Sequence, residues 1–179
     1  MRRLLALLIM ATACCEGPAP PGAAAPVELT TEWQRDKSAV HSITAYSFHN
    51  PSTRPNSILR GGSIDFSRLA RLTTAERSPD RSHRDEILSA ILDPHSPVTR
   101  SDCYIPHHLF LLRARNRAII GAIEVCFSCR TVVTVPPLPR EPTPEWAALA
   151  EQCVSLGLGL GPNFDSVAEF KAALDHDSP

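Results

Sequence analysis

The chain has 179 residues, with 18 Lys and Arg against 19 Asp and Glu and a formal net charge of −1. That length holds one domain's worth of hydrophobic core, and the near-zero charge offers no basic field for nucleic acid or acidic lipid. Seventeen prolines favour loops and connectors over long helices.

In chain order, Met1-Arg2-Arg3 is basic, and Leu4 to Met10 is apolar and leads into Ala11-Thr12-Ala13-Cys14. The apolar run is too short to span a bilayer as a helix but suits the core of a signal peptide. A small residue before a cysteine resembles the lipobox of bacterial lipoproteins. The resemblance implies removal of residues 1–13, lipidation of Cys14 as the new N-terminus, and attachment to a membrane of the bacterial cell envelope, facing the periplasm or exterior. The competing reading is an ordinary secretory signal cut later, within Gly22-Ala23-Ala24-Ala25. Glu16 to Pro26 is a Pro/Ala/Gly tract that cannot build a core, so residues 14–26 read as a tether and 27–179 as a single folded domain.

Ser42 to Phe48 alternates and is β-prone, which predicts a strand. Turn formers fill His49 to Asn56, and the proline in Asn50-Pro51-Ser52 rules out a glycosylation acceptor. Ser57 to Arg60 reads as a short strand closed by Gly61-Gly62. Ile64 to Leu72 gives mixed signals, and Thr74 to Arg84, with Pro79, reads as a loop or frayed helix start. Ser82 to Leu92 predicts a helix, with Ser82 and Asp85 in a capping arrangement and Ile87, Leu88, Ile91 and Leu92 on one face. Asp93-Pro94 stops it.

The central stretch, Cys103 to Arg130, predicts a hairpin turning at Arg115-Asn116-Arg117, because Asn tolerates the positive φ of tight turns. A two-residue loop sets His107 opposite Glu124 and Ile105 opposite Cys126. A three-residue loop sets His108 opposite Glu124 and Cys103 opposite Cys129. A one-residue slip exchanges the faces of every side chain, so the sequence leaves both open, with a histidine beside Glu124 in either case. Thr131 to Val135 prolongs the second strand or forms another, and Pro136 to Pro142 is a stiff connector. Thr143-Pro144-Glu145 starts a helix whose apolar face is Trp146, Leu149, Ala150, Cys153 and Val154, ending at Gly157. Asp165 or Ser166 caps a last helix through Leu174, with Val167, Phe170 and Leu174 inward, and Asp175 to Pro179 is a frayed tail. These elements add up to an α+β fold, a small antiparallel sheet with helices packed on one face.

Four cysteines lie beyond the anchor: Cys103, Cys126, Cys129 and Cys153. An even count in an exported chain points to disulfides, with Cys103 paired to Cys126 or Cys129. Cys153 closes a second bridge or stays an inert buried thiol. The alternative is a tetrahedral zinc site of Cys103, Cys126, Cys129 and His107 or His108, with Glu124 orienting the imidazole. A redox CxxC is disfavoured because Cys126-x-x-Cys129 leaves a strand instead of opening a helix. A histidine with Glu124 would also make an acid–base pair, against the plainer reading of a surface contact. His41, His49, His83, His95 and His176 have no metal spacing and read as solvated. Gly157-Leu158-Gly159-Leu160-Gly161-Pro162 follows a helix, not a strand, and so reads as a helix exit and not a phosphate loop. No GxSxG is present.

The segments Asn50 to Asn56, Cys103-Tyr104-Ile105-Pro106-His107-His108 and Glu124-Val125-Cys126-Phe127-Ser128-Cys129 resemble a pattern found in uncharacterised exported bacterial proteins. That resemblance implies a unit in the middle of the chain and no activity. The sequence therefore predicts an exported, lipid-anchored binding or structural module with no catalytic motif and no required cofactor. The alternative is a zinc or thiol-dependent site at Cys103/His108/Cys126/Cys129. It names no protein or small-molecule partner.

Overall fold

A computed structural model describes residues 27–50, 57–96, 99 and 103–176. The signal segment with Cys14, the tether, the turn formers 51–56 and the last three residues lie outside that set. Among the described residues, seven strands and four α-helices form an α+β fold: β1 (Ser42–Phe48), β2 (Leu59–Arg60), β3 (Ser63–Ile64), α1 (Phe66–Leu72), β4 (Thr73–Arg77), α2 (Arg81–Leu92), β5 (His108–Arg113), β6 (Ile119–Cys126), β7 (Thr131–Val135), α3 (Trp146–Ser155) and α4 (Val167–His176). Five strands pair antiparallel in the order β4-β1-β5-β6-β7, while β2 and β3 make a separate two-stranded sheet.

The sheet is covered on both faces. On one, Ile43, Ala45, Phe110, Leu112, Ile123 and Val125 meet α2, α3 and Phe170 of α4. On the other, Phe48, Leu109, Leu111, Ala122 and Val135 meet Ile58, Leu59 and Leu69 from β2 and α1. This explains why β6 reads as an apolar run, interrupted only at Glu124, and not as an alternating one: all eight of its residues are buried. The helices expected on one face are there, and α1 with the β2–β3 sheet closes the other.

Local differences from the sequence reading have simple causes. Thr74 to Arg84 is expected as a loop or frayed helix start, but its first four residues belong to the edge strand β4. An edge strand carries polar residues that guard its open side, so its composition mimics a loop. The α2 helix begins one residue before Ser82, with Asp80 accepting from the His83 amide at 3.0 Å. Glu145 instead of Thr143 caps α3, through the Ala148 amide, and the Thr143 hydroxyl accepts from the His95 amide at 3.0 Å. Val154, expected inward, is exposed. Ser166 caps the last helix through the Glu169 amide, which runs on through His176.

Candidate functional site

The β5–β6 hairpin places most of the singled-out residues. Its loop has three residues: the Ala114 amide donates to Ala118 O at 3.0 Å. The left-handed position is Arg117, at φ 69°, not Asn116. Asn116 instead accepts from the Ala118 amide through Oδ1. The ladder starts in the register of a three-residue loop, with Arg113 opposite Ile119, then shifts by one residue. A bulge inserts one extra residue into one strand, here in β6. Beyond it Leu109 faces Glu124 and His108 faces Val125. Neither predicted histidine–glutamate contact is therefore made. Directly opposed residues share a face, so His108 and Glu124 lie on opposite sides of the sheet.

The sulfurs do converge. Cys103 Sγ and Cys129 Sγ stand 2.6 Å apart, nearer than non-bonded sulfurs approach and close to the span of a disulfide, about 2.05 Å. β6 ends at Cys126, and the next residues turn sharply, with Arg130 left-handed at φ 52°. In that turn the Cys129 amide donates to Cys126 Sγ at 3.3 Å, and the Cys126 thiol donates to Ile105 O at 3.3 Å. The Cys126 and Cys129 thiols also meet each other. Cys129 thus lies between two sulfurs. Cys126 and Cys129 are buried and Cys103 is exposed. Burial pushes both buried thiols above the usual range, and the neighbouring sulfurs push Cys129 further. Cys153 sits apart in the helix-side core, and burial alone raises its thiol.

Glu124 is fully buried on the opposite face from His108. Its carboxylate accepts from Ser57 Oγ at 2.5 Å, the Ile58 amide at 2.6 Å and Tyr104 Oη at 2.8 Å. Burial raises its pKa, opposed by those three bonds. Burial and the facing carboxylate likewise raise the Tyr104 phenol. The carboxylate thereby fastens the start of the β2–β3 layer and the strand leading into β5 onto the sheet. It contacts no imidazole, so its role is a structural clamp and not the orientation of a metal ligand.

The histidines instead line a cleft of about 170 Å³, with Ser47, Phe48, His49, Thr74, Leu158, Gly161 and Pro162. His107 Nδ1–H donates to Phe48 O at 3.1 Å, because a carbonyl can only accept. That bond fixes the tautomer and leaves the Nε2 lone pair without a partner among the described residues. His108 Nε2–H donates to Gly159 O at 3.1 Å, and its Nδ1 is buried with no partner among the described residues. Burial lowers both imidazoles, His108 to about 4, so both are neutral acceptors near neutral pH. The ceiling is the glycine run after α3, where Gly157, Gly159 and Gly161 all have positive φ. A Cβ on Gly161 would come within 3.2 Å of the His107 ring, so glycine is what lets this loop close down.

The structure brings Cys103, Cys126 and Cys129 together but places the histidines, which the sequence reading joined to them, in the cleft. His49, read as solvated, is exposed, and the glycine run, read as a helix exit, does leave α3 but also roofs the cleft. The signal for the cleft was present only as three alternating glycines, whose conformation is permissive but whose target is distant in the chain, 51 residues from Gly159 to His108. Among the described residues, no group of three or more His, Cys, Asp or Glu is arranged to hold a metal ion; His107 and His108 bond instead to Phe48 O and Gly159 O.

No family model, curated protein or solved structure matches the chain.

Proposed function

We propose that this chain is an exported, lipid-anchored protein of the bacterial cell envelope that works as a binding module, held to a membrane through Cys14. The observation that carries the reading is the 2.6 Å approach of Cys103 and Cys129. A pair so placed closes to a disulfide in an oxidising compartment and stays reduced in the cytosol, which fits the signal-like N-terminus. The cleft under the glycine run is the natural ligand seat, since it pairs a shaped cavity with a buried, unbonded acceptor nitrogen, Nδ1 of His108.

The test is intact mass of the full chain, purified from a secreting bacterial host, before and after thiol alkylation in denaturant. Protection of Cys103 and Cys129 supports the reading, and alkylation of both in never-reduced protein refutes it. The anchor is tested in the same preparation. The wild-type chain should carry an acyl mass at Cys14 and partition into detergent, while Cys14→Ser should do neither. A wild-type N-terminus at a later residue would remove the anchor and leave secretion alone.

A further inference from the structure

A structural disulfide needs two sulfurs, and here a third, Cys126, lies against one of them, Cys129. Cys129 lies against Cys103 on one side and Cys126 on the other. Only Cys103 reaches solvent. We infer that Cys103, Cys126 and Cys129 form an exchange site in which the bridge passes between Cys103–Cys129 and Cys126–Cys129, exposing Cys103 to mixed-disulfide formation with small solvent-borne disulfides. The inference rests on the disulfide reading above.

The first step is internal. Cys126, as thiolate, attacks Cys129 Sγ. The Cys103–Cys129 bond breaks, the Cys126–Cys129 bond forms, and Cys103 leaves as the thiolate that takes up the proton Cys126 gave up. The three sulfurs undergo no net oxidation or reduction. In the second step the Cys103 thiolate attacks a disulfide R–S–S–R, giving Cys103–S–S–R and R–S⁻, again without net redox change. Exchange runs through the thiolate of the attacking sulfur, and burial keeps the Cys126 thiolate scarce. The internal step is therefore slow, in the range of minutes to hours for uncatalysed disulfide rearrangement. Selectivity follows from access: with Cys126 bridged to Cys129, the thiol a dissolved disulfide meets is the exposed Cys103, whereas with Cys103 bridged to Cys129 the free thiol is the buried Cys126. The turn that makes this possible is local. Cys126 and Cys129 are three residues apart around it, and the Cys129 amide already bonds Cys126 Sγ.

The experiment uses the never-reduced full chain, quenched with acid, labelled with N-ethylmaleimide in denaturant at acidic pH, and mapped by peptide mass. A parallel sample is first incubated with oxidised glutathione. The expected result is label divided between Cys103 and Cys126, none on Cys129, and glutathione on Cys103. In Cys126→Ser, whose hydroxyl can keep the bond to Ile105 O, glutathione addition should fall to background. Label on Cys126 alone with no adduct would mean a fixed Cys103–Cys129 bridge, overturning the exchange while leaving the function proposed above intact. Label on Cys103 alone would mean a fixed Cys126–Cys129 bridge and also overturns it. Label on all three sulfurs would overturn both readings.

Discussion

Acid should destabilise this protein through one buried imidazole. His108 is fully buried on the helix side of the sheet, edge-on to Phe127 with ring centroids 5.1 Å apart. Its pKa falls from 6.5 to about 4, chiefly through burial. A base whose folded pKa is depressed gives stability that is present in full above the unfolded value and is lost as pH falls through the window between them. In that window the unfolded chain takes the proton and the folded chain does not. With the two values above, the loss is about 2.5 kcal/mol on reaching about pH 4.5 and about 3 kcal/mol once titration is complete. The Glu124 carboxyl acts in the opposite sense. Its pKa is raised on folding, so its contribution declines as pH rises above the ordinary carboxylate value. Comparing wild type with His108→Phe cancels that background. The variant loses the bond to Gly159 O, worth about 1 kcal/mol, but keeps a flat ring against Phe127. Urea unfolding of both proteins from about pH 7 to about pH 4.5 should show the difference between them shrinking and then reversing, by about 2.5 kcal/mol in all. Parallel pH profiles would refute the claim that His108 is buried and neutral.

Three further outcomes follow from the same packing. Glu124→Ala takes the acceptor from one buried donor, the Ile58 amide, and from the half-buried hydroxyls of Ser57 and Tyr104, and should lower stability by about 2–4 kcal/mol in urea unfolding; a change within about 0.5 kcal/mol, typical of a surface site, would argue that the clamp is solvated. Gly121→Ala places a Cβ 2.5 Å from Trp33 Nε1 and 2.7 Å from Cε2, so the indole must shift. Stability should drop by about 1–3 kcal/mol, with a changed Trp fluorescence spectrum, and an unaltered spectrum with wild-type stability would contradict the close approach. Gly161→Ala forces a left-handed backbone at φ 92° and crowds His107. It should cost about 1–2 kcal/mol and disturb the His107 ring resonances in ¹⁵N NMR while leaving Cys103–Cys129 protection unchanged.

Much of the fold was legible along the chain. The β1 strand announced itself by alternation, and β6 by its β-branched apolar run. The α2 and α3 helices were marked by apolar residues three and four apart. Elements escaped where local chemistry points elsewhere: β4 is polar because it is an edge, and α1 is a single capped stretch of seven residues too short to show a period. The return of Cys103 to the neighbourhood of Cys126 and Cys129 was readable because any hairpin centred near Asn116 folds the chain back over the same distance.

From the sequence alone, Cys103 returns to the neighbourhood of Cys126 and Cys129, because that depends on where the strand turns and tolerates a slip of one residue; which of the two it meets is left open, and the fold chooses Cys129. The sequence could not determine which histidine, if any, faces Glu124, because a single bulge in β6 reverses the face of every side chain beyond it. That bulge sits in a strand buried on both faces, where Gly121 lets the Trp33 ring lie against the backbone and no alternation marks the register. Only the tertiary structure therefore separated the site in two, with sulfurs and a clamped carboxylate at one corner and two neutral imidazoles under a glycine ceiling in the cleft.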